Sequence, residues 1–301
     1  DFTMSAENVY ISVRMLNSAV EDILDDVANG RRVSDGIELG FTAGGEKQDN
    51  SVEYPELIYD GPFSDARKDK CYHGSEQLGA ITEDEAKLKF AELFSLENVH
   101  VLGMSSLPEA YEMEGMLGQA SVYASMSVQG GMILNLLVAK TPGAVHLSEK
   151  ESERLAIDYA ERLGYHDLVP VWYNADAGVA YVNLAPVSGD AILYTDLVKV
   201  KVALDDGTIM GLEAMGYCTN HHDRDYKPRM SAAAAKSLVS PRLSVSSVRL
   251  CVVPDGSAEV LCYEVAGSYK GLDYFVYLSA DDGREVNILR VVDDNQGRLT
   301  V

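Results

Sequence analysis

The opening segment of the chain has a helical spacing of apolar residues. Steps of four and three residues separate its apolar positions, which are Val9, Val13, Leu16, Val20, Ile23 and Val27. This spacing puts them on one stripe of an α-helix, and Gly30 is a typical residue for ending it. We therefore predict an N-terminal helix over residues 1–30. Its apolar stripe packs either on the rest of this chain or on a region that precedes it.

The next segment, residues 31–80, lacks a sustained period. It is rich in Gly, Asp and Pro, and Tyr54-Pro55 and Asp60-Gly61-Pro62 mark turns. We predict an irregular connecting segment with one or two short strands.

Three further helices are predicted from capping signals and apolar stripes. Thr82 with Glu85 and Ser148 with Glu151 form capping boxes, in which a hydroxyl and a carboxylate satisfy the first free backbone N–H groups. The third candidate, residues 231–239, is rich in alanine. The two apolar stripes are Ala86, Phe90, Leu93 and Phe94, and Leu155, Tyr159, Ala160 and Leu163.

Each predicted helix precedes a strand of alternating apolar residues and a glycine turn. The strands contain Val122, Ala124, Met126 and Val128; Val198, Val200, Val202 and Leu204, alternating with Lys199 and Lys201; and Leu272, Tyr274, Val276 and Leu278. The turns are Gln129-Gly130-Gly131, Asp205-Asp206-Gly207 and Asp281-Asp282-Gly283. Alternation predicts one buried and one wet face, and glycine supplies the positive φ of a hairpin turn.

These elements predict an α+β fold with a threefold internal repeat. The modules lie near residues 81–145, 146–230 and 231–301, and each has one helix packed on a small antiparallel sheet.

The net charge of the chain limits the classes of partner that we expect. The net charge is −22, which disfavours nucleic acid and anionic membrane surfaces and favours a cationic partner. The longest apolar run, Met132 to Ala139, is too short to cross a bilayer. The chain starts at Asp1, so we expect a preceding segment. Whether that segment contains a signal peptide or a membrane anchor stays open.

The four cysteines contain no C-x-x-C pair. Cys251 and Cys262 flank the turn at residues 254–257 and are expected to face each other across a hairpin, either as two thiols or as a disulfide.

The sequence predicts no catalytic, cofactor-binding or metal-binding residue, and therefore no enzyme. The acidic residues cluster in turns and at helix starts, where turn geometry and the helix dipole explain them. The most metal-like cluster consists of Cys218, His221, His222, Asp223 and Asp225. It could form half of a zinc site, but a polar linker between modules is the interpretation that we favour, because no second pair of ligands is near.

One segment has the composition of a protein interface. We predict partner contacts at Tyr54, Leu57, Tyr59 and Phe63, which are anchor residues of the kind that interfaces use. The alternative is that these side chains cover the open face of a module. Edge strands of the sheets could also pair with an extended partner segment.

Several segments resemble known families. Residues 204–209 and 278–286 are similar to the closing hairpin of the PepSY domain, and residues 129–131 resemble a divergent third copy. Residues 54–65 and 216–224 resemble stretches of the YpeB family of spore germination proteins.

The resemblance implies a specific role. Proteins of the YpeB family are expected at the outer face of the inner spore membrane, held by an N-terminal anchor that is missing from this sequence. There they would bind, stabilise or restrain a cortex-lytic peptidoglycan hydrolase. The alternatives are a peptidoglycan-directed hydrolase, a protease-inhibitor module and a structural spacer. No cofactor is implied, and the oligomeric state stays open.

Overall fold

The computed structural model describes Phe63 and residues 78–106, 109–256, 258–293 and 297–300, with the backbone alone at 292–293 and 297–300. The predicted helix over residues 1–30 and nearly all of the segment 31–80 lie outside the described residues. The fold is α+β. The helices that the structure describes are α1 (Glu83–Phe94), α2 (Glu149–Arg162), α3 (Met215–Asn220) and α4 (Ala232–Leu238). Within the described ranges, no helix has the length and apolar character needed to span a membrane.

Fourteen described strands form one mostly antiparallel sheet. They are β1 (Glu97–Ser106), β2 (Glu109–Leu117), β3 (Ala120–Ser127), β4 (Ile133–Val138), β5 (Leu168–Asp176), β6 (Val179–Ser188), β7 (Ala191–Leu193), β8 (Val198–Ala203), β9 (Ile209–Glu213), β10 (Ser244–Asp255), β11 (Ala258–Tyr269), β12 (Leu272–Ser279), β13 (Glu285–Asp293) and β14 (Gly297–Thr300).

Three segments share the order of one helix followed by four antiparallel strands. We call them repeat 1 (residues 78–138, α1 with β1–β4), repeat 2 (146–220, α2 with β5, β6, β8 and β9) and repeat 3 (229–293, α4 with β10–β13). In each, the residue before the helix cap donates its backbone N–H to a carbonyl near the end of the third strand. These pairs are Ile81 to Val128, Leu147 to Leu204 and Met230 to Ala280, at 2.9, 2.9 and 3.1 Å. The start of each helix is therefore tied to the closing turn of its own repeat.

The capping boxes and glycine turns predicted from the sequence are confirmed. Glu85 accepts from the Thr82 N–H at 2.7 Å, and Glu151 accepts from the Ser148 N–H at 2.9 Å. Gly207 has a φ of +80°, and a Cβ there would lie 2.7 Å from Leu155 Cδ1 of α2. Gly131 and Gly283 also have positive φ values and pack against side chains at or before their helices. These turns need glycine both for the backbone conformation and for the close approach of the helix.

The sequence predicts a separate small sheet in each module, but in the structure the edge strands of neighbouring repeats pair with each other. Strand β4 pairs with β9, which joins repeat 1 to repeat 2. Strand β14 pairs with β5, and β7 pairs with both β6 and β10, so β5–β6–β7–β10–β11–β12–β13–β14 is a closed circuit of paired strands. Strand edges carry unpaired backbone groups, and pairing with the neighbouring repeat satisfies them.

The predicted wet face of β8 is wrong at two positions. Lys199 and Lys201 are only 4% and 7% exposed. Strand β8 lies between β6 and β9 inside the sheet, where Lys199 pairs with Glu213 at 3.1 Å and Lys201 lies over the Tyr181 ring. Partner groups on adjacent strands let these cations be buried.

Candidate functional site

The linker after α3 places an arginine between repeats 2 and 3. Both carboxylate oxygens of Asp196, in the 3₁₀ turn Tyr194–Asp196, accept from Arg224 at 2.8 and 2.9 Å. Arg224 also donates to both carboxylate oxygens of Glu259 in β11, at 2.9 Å each. The side chains of Arg224 and Asp196 are 1% and 0% exposed. We call Asp196, Arg224 and Glu259 the Arg224 clamp.

Electrostatics hold Arg224 and Glu259 of the clamp in their charged forms. Burial by itself would lower the pKa of Arg224, but the hydrogen bonds to Glu259 and Asp196 outweigh it and raise that pKa above its usual value. Burial by itself would raise the pKa of Glu259, but hydrogen bonds from Arg224 and Tyr226 lower it to about 2. The ion pair of Arg224 with Glu259 therefore persists well below neutral pH.

The histidines of the metal-like cluster face the same carboxylates. His221 Nδ1 lies 2.8 Å from Asp196 Oδ2, and His222 Nε2 lies 3.4 Å from Glu259 Oε1. Asp223 and Asp225 are exposed. Over the ranges that the structure describes, no three His, Cys, Asp or Glu side chains are placed to hold a metal ion. Both histidine rings therefore lie against carboxylates of the Arg224 clamp.

Cys218, the other member of that cluster, points into the core. Its Sγ lies 3.9 Å from the buried Tyr165 hydroxyl, and it belongs to the apolar core that repeats 1 and 2 share. Cys218 and His221 therefore contact different groups.

The predicted partner-binding residues fall mostly outside the described part of the chain. Tyr54, Leu57 and Tyr59 lie outside it, whereas Phe63 is described and only 5% exposed. Its ring centroid lies 6.0 Å from Trp172 and 5.4 and 5.3 Å from two further rings, Tyr194 and Tyr277. A ring buried in this way covers the joint between repeats 2 and 3. The partner role of the other three residues stays a prediction.

A buried glutamate beside this aromatic cluster was not predicted from the sequence. Glu264 is 1% exposed and accepts from the hydroxyls of Tyr194 and Tyr277 at 2.6 and 2.9 Å. Arg249 Nε donates to it at 2.5 Å. Burial, and then the charge of Glu264, raises the pKa of both tyrosines, so their hydroxyls stay protonated donors. A lone carboxylate inside the apolar run 260–265 was the available signal.

The prediction that two cysteines face each other across a hairpin is confirmed by the register of the strands. Cys251 stands opposite Cys262 on β10 and β11, and both are buried free thiols. Burial raises the pKa of Cys251 well above its usual value and that of Cys262 to about 12. Neither thiol is therefore a reactive thiolate at neutral pH.

The acidic turn residues hold neighbouring backbone and side chains. Asp205 accepts from the Gly143 N–H at 2.7 Å, and Asp206 pairs with Lys140 at 2.8 Å. Asp282 accepts from the Arg284 N–H at 3.1 Å. Each of these carboxylates therefore has a structural contact in or next to its turn.

A row of polar residues crosses the sheet on the face opposite the core shared by repeats 1 and 2. Six side-by-side positions form it: Glu112, Ser125, Asn135, Glu213, Lys199 and Asn183. A cavity of about 210 Å³ lies next to it, and Tyr123, Lys201 and Gly211 are among the residues that line it. Pockets for drug-sized ligands are larger, about 300–1,000 Å³. The cavity is therefore small for an organic ligand.

The sheet has one open edge among the described strands, and it carries exposed apolar residues. Strand β1 pairs with β2 alone, while β7 at the other end of the strand order is paired on both sides. Leu102 and Met104 on β1 are 59% and 60% exposed. We call residues 100–106 the β1 edge. Exposed apolar side chains of this kind can contact a protein partner.

Comparison with known proteins identifies the family. Residues 46–227 match the family described as YpeB sporulation, PepSY1 and PepSY2 domains. The chain belongs to the YpeB family. The matched range contains repeats 1 and 2 and the Arg224 linker. The description of this family concerns sporulation.

Relatives with the same family name extend over most of the chain. Sporulation protein YpeB of Halalkalibacterium halodurans is 30% identical over 69% of the chain and 48% of its own length. The Bacillus subtilis protein of that name is 25% identical over 76% of the chain and 53% of its own length. The chain thus spans about half the length of these relatives.

A solved structure supports the fold. The structure titled Bacillus megaterium YpeB C-terminal domain superposes with a TM-score of 0.64 at 23% identity, covering 71% of this chain and 100% of that one. At this identity the similarity concerns the fold alone.

Proposed function

We propose that this chain binds a cortex-lytic peptidoglycan hydrolase in the spore envelope and stabilises or restrains it, without catalysing a reaction itself. Family membership supports the setting in sporulation. The observation that supports binding most directly is the pair of exposed apolar side chains Leu102 and Met104 on β1, which lies at one end of the strand order. Exposed apolar side chains on a fixed scaffold are typical anchors for a protein partner.

The three repeats are proposed to be tandem PepSY modules with boundaries near residues 81–145, 146–230 and 231–301. The supporting feature is the backbone hydrogen bond that ties each helix start to the closing turn in every repeat. The description of the matched family names two such domains, PepSY1 and PepSY2. Repeat 3 lies beyond that range and shares the hydrogen bond through Met230 and Ala280.

The proposed location is the outer face of the inner spore membrane. Since the chain spans about half of its relatives, we assign the membrane anchor to a segment that precedes it. The net charge of −22 suits a cationic protein partner better than anionic lipid.

Purified chain and the cortex-lytic hydrolase of the same organism provide the test. We expect a complex by calorimetry at micromolar concentrations, and slower digestion of the hydrolase by an added protease. Absence of both effects would sink the proposal.

The chain alone, incubated with spore cortex, tests the enzymatic alternative. We expect no released sugar or peptide above buffer. Release that scales with the concentration of the chain would show catalysis and contradict a purely binding role.

A further inference from the structure

A groove lies between helix α2 and the closing turn of repeat 2. Its volume is about 570 Å³, and pockets that take ligands usually measure about 300–1,000 Å³. The described residues that line it are Leu155, Asp158, Glu161, Arg162, Gly207 and Ile209. The three uncharged residues are half-buried and the three charged residues are exposed, so the groove has an apolar floor and a charged rim. We call it the α2 groove.

The floor of the α2 groove has a counterpart in repeat 1. In both repeats, the closing glycine lies against the residue seven positions after the N-cap of the helix. In repeat 2 this residue is Leu155, whose Cδ1 would lie 2.7 Å from a Cβ on Gly207. In repeat 1 it is Lys89, whose Cδ and Nζ would lie 3.5 and 3.3 Å from a Cβ on Gly131. A lysine side chain therefore lies beside the closing turn of repeat 1.

This counterpart indicates which side chain suits the α2 groove. The carbon chain of a lysine can lie along an apolar surface while its ammonium group stays in contact with water or with carboxylates. Repeat 2 has Leu155 where repeat 1 has Lys89, so the chain does not supply a lysine of its own at this position. A lysine from another molecule can lie on the floor that Leu155 and Ile209 provide.

The rim of the α2 groove favours a cation. Among the described residues, neither Asp158 nor Glu161 forms an ion pair. Arg162, the one cation of the described lining, donates from Nε to the Asp158 backbone carbonyl at 3.3 Å, and its guanidinium carbon lies 5.1 Å from the centroid of the Tyr159 ring. Its contacts are therefore within its own helix. Two carboxylates against one guanidinium leave the rim negative, within a chain of net charge −22.

We infer that the α2 groove binds one lysine side chain of the partner protein. The aliphatic part of this lysine lies on Leu155 and Ile209, and its ammonium group is attracted by Asp158 and Glu161. The inference rests on the proposed function, because the partner is taken to be the cortex-lytic hydrolase. It adds a contact in repeat 2 to the exposed apolar residues of β1.

The double variant Asp158→Asn with Glu161→Gln tests the groove. It keeps the size of both side chains and removes both negative charges, and we expect hydrolase binding by calorimetry to weaken about fivefold or more. The matched control is Asp273→Asn with Glu285→Gln, which removes two negative charges at exposed positions of repeat 3. It should change the affinity less than about twofold. Both variants should keep the melting temperature, because all four sites are exposed.

Carbodiimide cross-linking gives an independent measurement on the unsubstituted complex. The reagent joins a carboxylate to an amine that contacts it, with loss of water. We expect mass spectrometry of the digested complex to show Asp158 or Glu161 joined to a lysine of the hydrolase. Cross-links to the hydrolase from other carboxylates of the chain, with none from these two, would overturn the inference.

The outcomes separate this inference from the proposed function. If the unsubstituted chain forms no complex, the proposed function fails and the inference fails with it. If a complex forms and the Asp158→Asn, Glu161→Gln variant binds as tightly as the control, the inference fails and the proposed function stands. If these carboxylates become cross-linked to a lysine of a second, isotope-labelled copy of the chain while hydrolase affinity is unchanged in the variant, the groove joins two copies, which also overturns the inference.

Discussion

The two joints between repeats are built from different chemistry. Repeats 1 and 2 meet through β4 and β9, with Leu136 and Leu212 inside one apolar core that draws on both repeats. Repeats 2 and 3 also share apolar contacts, around Phe63 and Trp172, but there the linker adds the buried charges of the Arg224 clamp.

Because of this difference, we expect the stability of the two joints to respond differently to pH and to substitutions. An apolar joint tolerates changes of pH and loses stability in proportion to the volume removed. A buried ion pair adds little net stability while intact, yet removal of one partner leaves a buried charge unpaired. The second joint should therefore be sensitive to the loss of a single clamp charge, and the first to the loss of apolar volume.

The largest effect is expected for Arg224→Met. Asp196 and Glu259 would lose their cation, and we expect the free energy of unfolding to fall by about 3–5 kcal/mol. Trp172 is the sole tryptophan and lies at this joint, so its fluorescence should change at lower urea than the far-UV circular dichroism. Arg229→Met is the control, since Arg229 is 79% exposed, and it should stay within about 0.5 kcal/mol. Equal midpoints for both variants would contradict the clamp.

A somewhat smaller effect is expected for Leu136→Ala at the first joint. Leu136 is fully buried opposite Leu212, and the cavity should cost about 3 kcal/mol. Repeats 1 and 2 share this core, so fluorescence and circular dichroism should report one common transition. Separate transitions would show that the first joint is not cooperative.

The smallest effect is expected from acidification at the second joint. The pKa of Glu259 is lowered to about 2 from an ordinary 4.5, so its stabilising contribution is complete above about pH 5 and is lost as the pH falls towards 2. Glu259→Gln should destabilise the chain by about 1.5–3 kcal/mol at pH 7.

The pH profile of that variant provides the check. The difference in unfolding free energy between Glu259→Gln and the unsubstituted chain should shrink as the pH falls from about 5 towards 2. A difference that is constant with pH would show that the ionised carboxylate is not the stabilising group.

Local features were predictable from the sequence, because their partners are near in sequence. The capping box of Thr82 and Glu85 spans three residues, and the Gly207 turn is set by its own backbone conformation. The α+β class and the order of helices and strands in each repeat follow from the same short-range patterns.

The joints were not predictable in this way. Arg224 is 28 residues from Asp196 and 35 from Glu259, and no periodicity links positions that far apart. The sequence drew attention to His221 and His222, but the carboxylates that face them belong to other elements. Lys199 and Lys201 were predicted wrongly because alternation shows that a strand has two different faces, but it does not show whether both faces are covered.

The closed circuit of strands has a consequence for how the protein is made. Strand β14 at residues 297–300 pairs with β5 at residues 173–174, so the circuit cannot close until more than a hundred later residues have left the ribosome. Repeats 1 and 2 can assemble on the growing chain before that point, since their shared core needs nothing beyond residue 220. Until then β5 lacks its pairing with β14. A strand edge without its native neighbour can form incorrect pairings, and completion of the third repeat ends that risk.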